Sequence, residues 1–251
     1  LRNFAIAWSP SAQDAFREVP EARPLVAWPT GHVSSSERRH GVPTFFWASP
    51  GSQQPVRALT PEEAARRHLV AHAALYRTTA AHLATARVTG LHDLHDGTAI
   101  IVTLQQRVGG VRVFRDELKV IMNRDLELVA LSGYLTPSVT PRGTFSLRAE
   151  SALASAHQHL TGVSLEAATP LGPDEGGYTR WTLEGARGAR TRPVYFPLAS
   201  GVVPAFYGEL GHFSFVVSAV NGEVLYVHDL TVSHAFSVWA DPATLVPFPG
   251  P

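Results

Sequence analysis

Two stretches of this chain carry a helical pattern, and each is followed by short apolar runs separated by turn signals. The first opens at Thr60-Pro61-Glu62-Glu63. Thr60 can accept from the free amides of the first turn, and Pro61 suits a position whose missing N–H costs nothing. Glu63 can reach back to the cap amide, and both glutamates favour the positive helix end. Ala-rich sequence continues to about Tyr76 and places Ala65, Leu69, His72 and Tyr76 on one face. The second spans Leu147 to Leu160, with Ala152, Ala156 and Leu160 spaced by four and Gly162 placed to stop it.

Strand signals fill the intervals. After the first helix come Ile100 to Leu104, Val111 to Phe114, Leu118 to Met122 and Leu126 to Leu135. Gly109-Gly110 suggests a hairpin between the first two, and Asn123-Arg124-Asp125 is a turn candidate. After the second come Tyr178 to Leu183, Pro193 to Leu198, Val202 to Leu210, Phe213 to Val220 and Glu223 to Val232. Asn221-Gly222 between the last two is a strong hairpin signal. One helix followed by an antiparallel meander therefore occurs twice. That order predicts an α+β fold of two units in tandem, each a helix laid across an antiparallel sheet. The boundary is expected between Pro137 and Phe145.

Residues 1–55 read as an irregular arm. Seven prolines, from Pro10 to Pro55, each fix their own φ and discourage helix at the residue before. Trp8, Trp28, Phe45, Phe46 and Trp47 make it an ordered arm that packs on the rest.

Composition closes several function classes. Lys+Arg and Asp+Glu are both 21, so a neutral chain has no general electrostatic drive toward nucleic acid or an anionic membrane. No apolar stretch approaches the roughly 18–20 residues needed to span a bilayer. There is no cysteine, which excludes disulfides, thiolate metal sites and thiol catalysis. With 251 residues, 45% hydrophobic, the core needs no such staples. Leu1 to Pro10 lacks the basic and apolar regions of a signal peptide, so a leader is expected to have been removed or never present.

Candidate chemistry is sparse. His68 and His72 have the four-residue spacing by which two imidazoles face one zinc ion, but Leu69 stands where a zincin needs its glutamate base. They read as histidines on an amphipathic face, with a metal pair as the alternative. His92-Asp93-Leu94-His95-Asp96 precedes Gly97 and reads as a solvated turn. His157 and His159, two apart on a helix, point to different faces. The chain has no His-Glu-x-x-His, no nucleophile elbow, no phosphate-binding loop and no dinucleotide fingerprint. Nothing in the sequence nominates a catalytic pair among the carboxylates.

The segments Leu59-Thr60-Pro61-Glu62-Glu63-Ala64-Ala65 and Gln105-Gln106-Arg107-Val108-Gly109-Gly110-Val111-Arg112-Val113-Phe114 together resemble the propeptide shared by fungalysins and thermolysin-like peptidases. There a capped Ala-rich helix precedes a Q-x-v-x-G-x-x-V-F pattern. Trp181-Thr182-Leu183, Val194-Tyr195-Phe196-Pro197 and Phe215-Val216-Val217 to Asn221-Gly222-Glu223-Val224-Leu225 are similar in order to the later, PepSY-like part of the fungalysin propeptide. Ser233-His234-Ala235-Phe236 matches a His-Ala-aromatic motif near its end. The resemblance runs from about residue 40 to the C-terminus; Asn123-Arg124-Asp125-Leu126 departs from it, standing where the family often has a glycine turn.

The resemblance implies two cystatin-like units, at residues 56–140 and 141–236, between the arm 1–55 and an extended Pro-rich tail 237–251. It implies no enzyme in this chain. The expected role is chaperone and inhibitor of a secreted zinc metallopeptidase, outside the cell or in periplasmic transit. The partner is the catalytic domain of its own precursor, and the zinc belongs to that domain. His234, Ala235, Phe236, Val238 and Trp239 are the implied contacts with the partner's cleft. Phe236 would be the apolar anchor and Ala235 would allow close backbone approach. His234 would hydrogen-bond within the interface or sit near the partner's zinc. Two alternatives stand beside this: Phe236, Val238 and Trp239 cover the end of the last sheet, or the chain is a free-standing cystatin-like binding module.

Overall fold

A computed structural model of the chain describes residues 7–8, 28–37, 40–51, 60–94, 98–184, 186–198 and 201–231. The fold is α+β, with helices packed on antiparallel sheets. The first helix, α1 (Pro61–Ala71), starts as its cap requires: the Thr60 hydroxyl accepts from the Glu63 amide at 3.1 Å. The Glu63 carboxylate pairs forward with Arg67. The expected apolar face is buried throughout, at Ala65, Leu69, His72 and Tyr76. The helix gives way at His72 to a 3-10 turn, Ala73–Tyr76, and then to α2 (Ala80–Ala84).

Six strands form the sheet beneath α1: β2 (Gly31–Glu37), β3 (Val42–Ala48), β4 (Arg87–Asp93), β5 (Ile100–Gln105), β8 (Glu117–Met122) and β9 (Leu128–Tyr134). Their order is β2-β3-β9-β8-β5-β4. Val102, Leu104, Leu118, Val120 and Leu131 are fully buried in one core with Leu69 and Tyr76.

Two expectations change here. Residues 31–37 and 42–48, read as irregular, pair as strands β2 and β3, and β3 pairs with β9 over Phe45–Trp47. Pro43 lies beyond that paired stretch, where a missing N–H breaks no bond to β9. His92 and Asp93, read as a loop, close strand β4 instead; Asp93 pairs with Arg124 at 2.6 Å. That strand is a mostly exposed sheet edge, so it carries little apolar signal.

The second sheet has seven strands in the order β1-β15-β14-β13-β12-β11-β10. They are β1 (Ala7–Trp8), β10 (Ala168–Asp174), β11 (Tyr178–Leu183), β12 (Ala186–Leu198), β13 (Gly201–Leu210), β14 (Phe213–Ser218) and β15 (Val224–Asp229). Helix α3 (Ala149–Thr161) lies against β12, β13 and β14 and ends at Gly162. It buries Ala152, Leu153 and Ala156 against Trp181, Phe206, Phe215 and Val217. The Asn221-Gly222 hairpin forms, closed by the Ser218 amide donating to the Glu223 carbonyl at 2.8 Å. Edge strand β10 carries Pro170 and Pro173, which the sequence reading passed over and which an edge tolerates.

The Gly109-Gly110 hairpin differs most from expectation. Strand β5 pairs with β8, not with the run after the glycines. Instead β6 (Arg107–Val108) and β7 (Val111–Arg112) form a separate two-stranded ribbon that leaves the first sheet. It reaches the second sheet: Val113 bridges Tyr195, and the Phe114 amide donates to the Tyr195 carbonyl at 2.8 Å. Phe114 is the ribbon's anchor in a core otherwise made by the second sheet, with Val194, Phe196, Ala205, Val216, Leu225 and Tyr226.

Candidate functional site

Side chains two apart on a strand share a face. On β12, Ala189 faces the α3 core while Arg190, Arg192, Val194 and Phe196 face the other way. The register sets Arg190 opposite Glu209 and Arg192 opposite Tyr207. The Phe114 ribbon covers the apolar end of this second face. Its polar end remains as a sheet-borne row of arginines and tyrosines beside the ribbon.

Arg190 and Arg192 are held differently. Arg190 grips Glu209 with two parallel bonds of 2.9 Å, the fork geometry that guanidinium and carboxylate share. Those bonds raise its pKa. Tyr207 donates to the same carboxylate at 3.0 Å. Arg192 stacks on Tyr178 at 4.5 Å and on Tyr207 at 5.3 Å. Its Nε is buried with no hydrogen-bond partner. Burial lowers the Arg192 pKa, and the charge of Arg112 on the ribbon lowers it further.

A cleft of about 430 Å³ opens where the ribbon meets this face. Arg112, Arg115 and Asp116 line it from the ribbon side; Arg192, Tyr207 and Tyr226 line it from the sheet. Arg115 donates to the Tyr226 hydroxyl and lies over its ring at 4.8 Å. Its φ of 54° turns the chain sharply at this point. Asp116 is buried and ties the base of the ribbon, accepting from the Gln106 amide at 2.9 Å and the Thr136 amide at 2.6 Å. Burial raises its pKa against those bonds. The charge available to the cleft is therefore cationic and comes from both sheets.

The histidine pair lies elsewhere, between α1 and the first sheet. His68 and His72 are each 2% exposed, so they sit in the core and not at a polar margin. A carbonyl only accepts, so His68 Nε2 donates to Leu126 at 2.8 Å and His72 Nδ1 donates to the His68 carbonyl at 2.7 Å. The remaining His72 nitrogen faces Thr30 Oγ1 at 3.3 Å. The two rings thus serve as hydrogen-bonded core members of opposite tautomer, and the metal-pair alternative is set aside. Among the described residues no group of three or more His, Cys, Asp or Glu is placed to hold a metal ion.

Burial lowers both imidazole pKa values below the ordinary 6.5. Below about that pH the unfolded chain binds protons that the folded chain refuses, so stability falls with falling pH until the folded values are passed. The melting temperature should drop as pH falls through and below about 6.5, and a His68→Gln/His72→Gln variant should lose much of that slope. An unchanged slope in the variant would place the titration on other groups.

His234, Ala235, Phe236, Val238 and Trp239 lie outside the described residues, as does the tail 237–251. The last described strand, β15, ends at Asp229, and Leu230 stands on the rim of the arginine cleft. The sequence reading passed over Arg112, Arg115 and Arg192 as a group. Their one local sign is the alternation Arg190-Thr191-Arg192 within a strand; what joins them is the docking of the ribbon.

No family model matches the chain, and no curated protein does. Among solved structures the chain is similar to the Bacillus megaterium YpeB C-terminal domain, at 12% identity and a TM-score of 0.29, over 76% of this chain and 73% of that one. No helix among the described residues is long and apolar enough to cross a membrane.

Proposed function

We propose that this chain is a non-catalytic propeptide, acting as chaperone and inhibitor of a fungalysin-like zinc metallopeptidase with which it is made and secreted. Its two units, 56–140 and 141–236, would be cystatin-like, the second PepSY-like, with the extended tail 237–251 lying in the partner's cleft. The observation that supports this most is the part played by the Gln106–Phe114 pattern on which the family resemblance rests. That pattern builds the ribbon whose Phe114 joins the two sheets. A two-lobed body with broad sheet surfaces suits a partner domain. The zinc of the reaction belongs to the partner, and the chain supplies no His-Glu-x-x-His of its own.

In this reading the segment after β15 enters the partner's cleft, with Phe236 as apolar anchor and His234 within the interface. Ala235, Val238 and Trp239 complete the contact. Co-expression with the catalytic domain tests it. Phe236→Ala should weaken inhibition by roughly 2 kcal/mol, the scale of a buried aromatic anchor. His234→Ala should impair inhibition or maturation while the isolated chain keeps its melting temperature. The chain alone should hydrolyse no casein, with or without zinc. If both variants inhibit like the parent, or the encoding gene holds no peptidase domain, the free-standing binding module replaces this reading.

A further inference from the structure

Arg192 lacks the compensation that its strand neighbour has. Its neighbour Arg190 has Glu209, whereas Arg192 has two aromatic rings and a buried Nε with no acceptor. Among the described residues Arg112 and Arg192 have no carboxylate partner in an ion pair. The carboxylates bordering the cleft are otherwise engaged: Asp116 accepts two backbone amides, and Glu117 pairs with Lys119 at 3.4 Å. A partly desolvated cation without a counter-charge is costly, and a second guanidinium facing it adds repulsion.

We infer that the cleft between the ribbon and the second sheet is a binding site for an oxyanion, a carboxylate or phosphate group, held by Arg112, Arg115 and Arg192. Guanidinium forks match the paired oxygens of both groups. The cleft's volume of about 430 Å³ lies within the roughly 300–1,000 Å³ of ligand sites, so the oxyanion can be carried on an organic body. Half-buried Tyr207 and exposed Leu230 at the cleft wall provide apolar surface for that body. The ligand would bridge the ribbon and the second sheet, because Arg112 and Arg115 arrive with the ribbon and Arg192 on β12. The inference does not depend on the inhibitor reading, since every residue it uses lies within the described structure.

The test is to titrate the full chain at low ionic strength with inorganic phosphate, with citrate and with a triglutamate peptide, following melting temperature and heat of binding. At least one probe should raise the melting temperature, since a ligand that binds only the folded chain stabilises it. Arg192→Gln and Arg112→Gln should each weaken that binding about tenfold or more, the scale of lost charge-assisted bonds. Arg192→Lys keeps the charge but not the fork, and should also weaken it. Arg87→Gln, on exposed β4, should bind like the parent. Binding of phosphate or citrate points to a small free anion, and binding of triglutamate alone points to a carboxylate on a polypeptide. The inference fails if no probe stabilises the parent chain, if Arg112→Gln and Arg192→Gln bind unchanged, or if Arg87→Gln weakens binding equally.

Discussion

Phe114→Ala is expected to destabilise the chain by about 3–5 kcal/mol, the range for truncating a buried phenylalanine. The ring is 8% exposed and lies 5.2 Å from Tyr226, 5.6 Å from Tyr207 and 6.0 Å from Phe196. These three aromatic partners all belong to the second sheet, while the Phe114 backbone comes from the first unit's ribbon. The loss therefore falls on the joint between the sheets as well as on a core. Calorimetry should show one endotherm for the parent chain and a broadened or divided one for the variant, with a lower denaturant midpoint. A variant that melts as one unit with the parent's midpoint would show that the sheets are joined by other contacts, such as the Val113–Tyr195 bridge and the Arg115–Tyr226 hydrogen bond.

Gly133→Ala should cost about 3 kcal/mol or more, from two sources that add. Residue 133 holds φ at 85° within β9, and an L-residue there pays about 1–2 kcal/mol. A Cβ would also stand 2.2 Å from the Glu117 carbonyl oxygen on β8, a backbone atom within a paired ladder. Relieving that contact means displacing one central strand from the other, an overpacking cost of roughly 1–3 kcal/mol. Gly109→Ala is the matched comparison: its φ is also positive, at 54°, but nothing lies within 4 Å of the added Cβ. It should lose only the conformational part. Equal losses in the two variants, measured by urea denaturation, would mean that the contact with Glu117 relaxes freely.

The local elements were largely legible because their causes are local. Thr60 caps α1 through its own side chain, Gly162 ends α3, and the apolar runs of β5, β8, β13 and β14 announce buried central strands. The two-helix, two-sheet plan follows from that order alone. Edge strands were lost, since β4 is mostly exposed and β10 carries two prolines, and neither shows the pattern of a buried strand. Pairing was also beyond reach. The Gly109-Gly110 turn marks a hairpin, but nothing nearby says that the ribbon leaves its own sheet for a strand 81 residues away in sequence, where Phe114 meets Tyr195. The arginine cleft depends wholly on that choice. By itself the sequence determined the α+β class, the helix ends and most central strands, because capping, turn chemistry and apolar alternation act over a few residues. Only the tertiary structure decided that Arg112, Arg115 and Arg192 share one cleft and that His68 bonds Leu126 while His72 faces Thr30. Those outcomes come from burial and from contacts between residues distant in the chain, which no short stretch of sequence encodes.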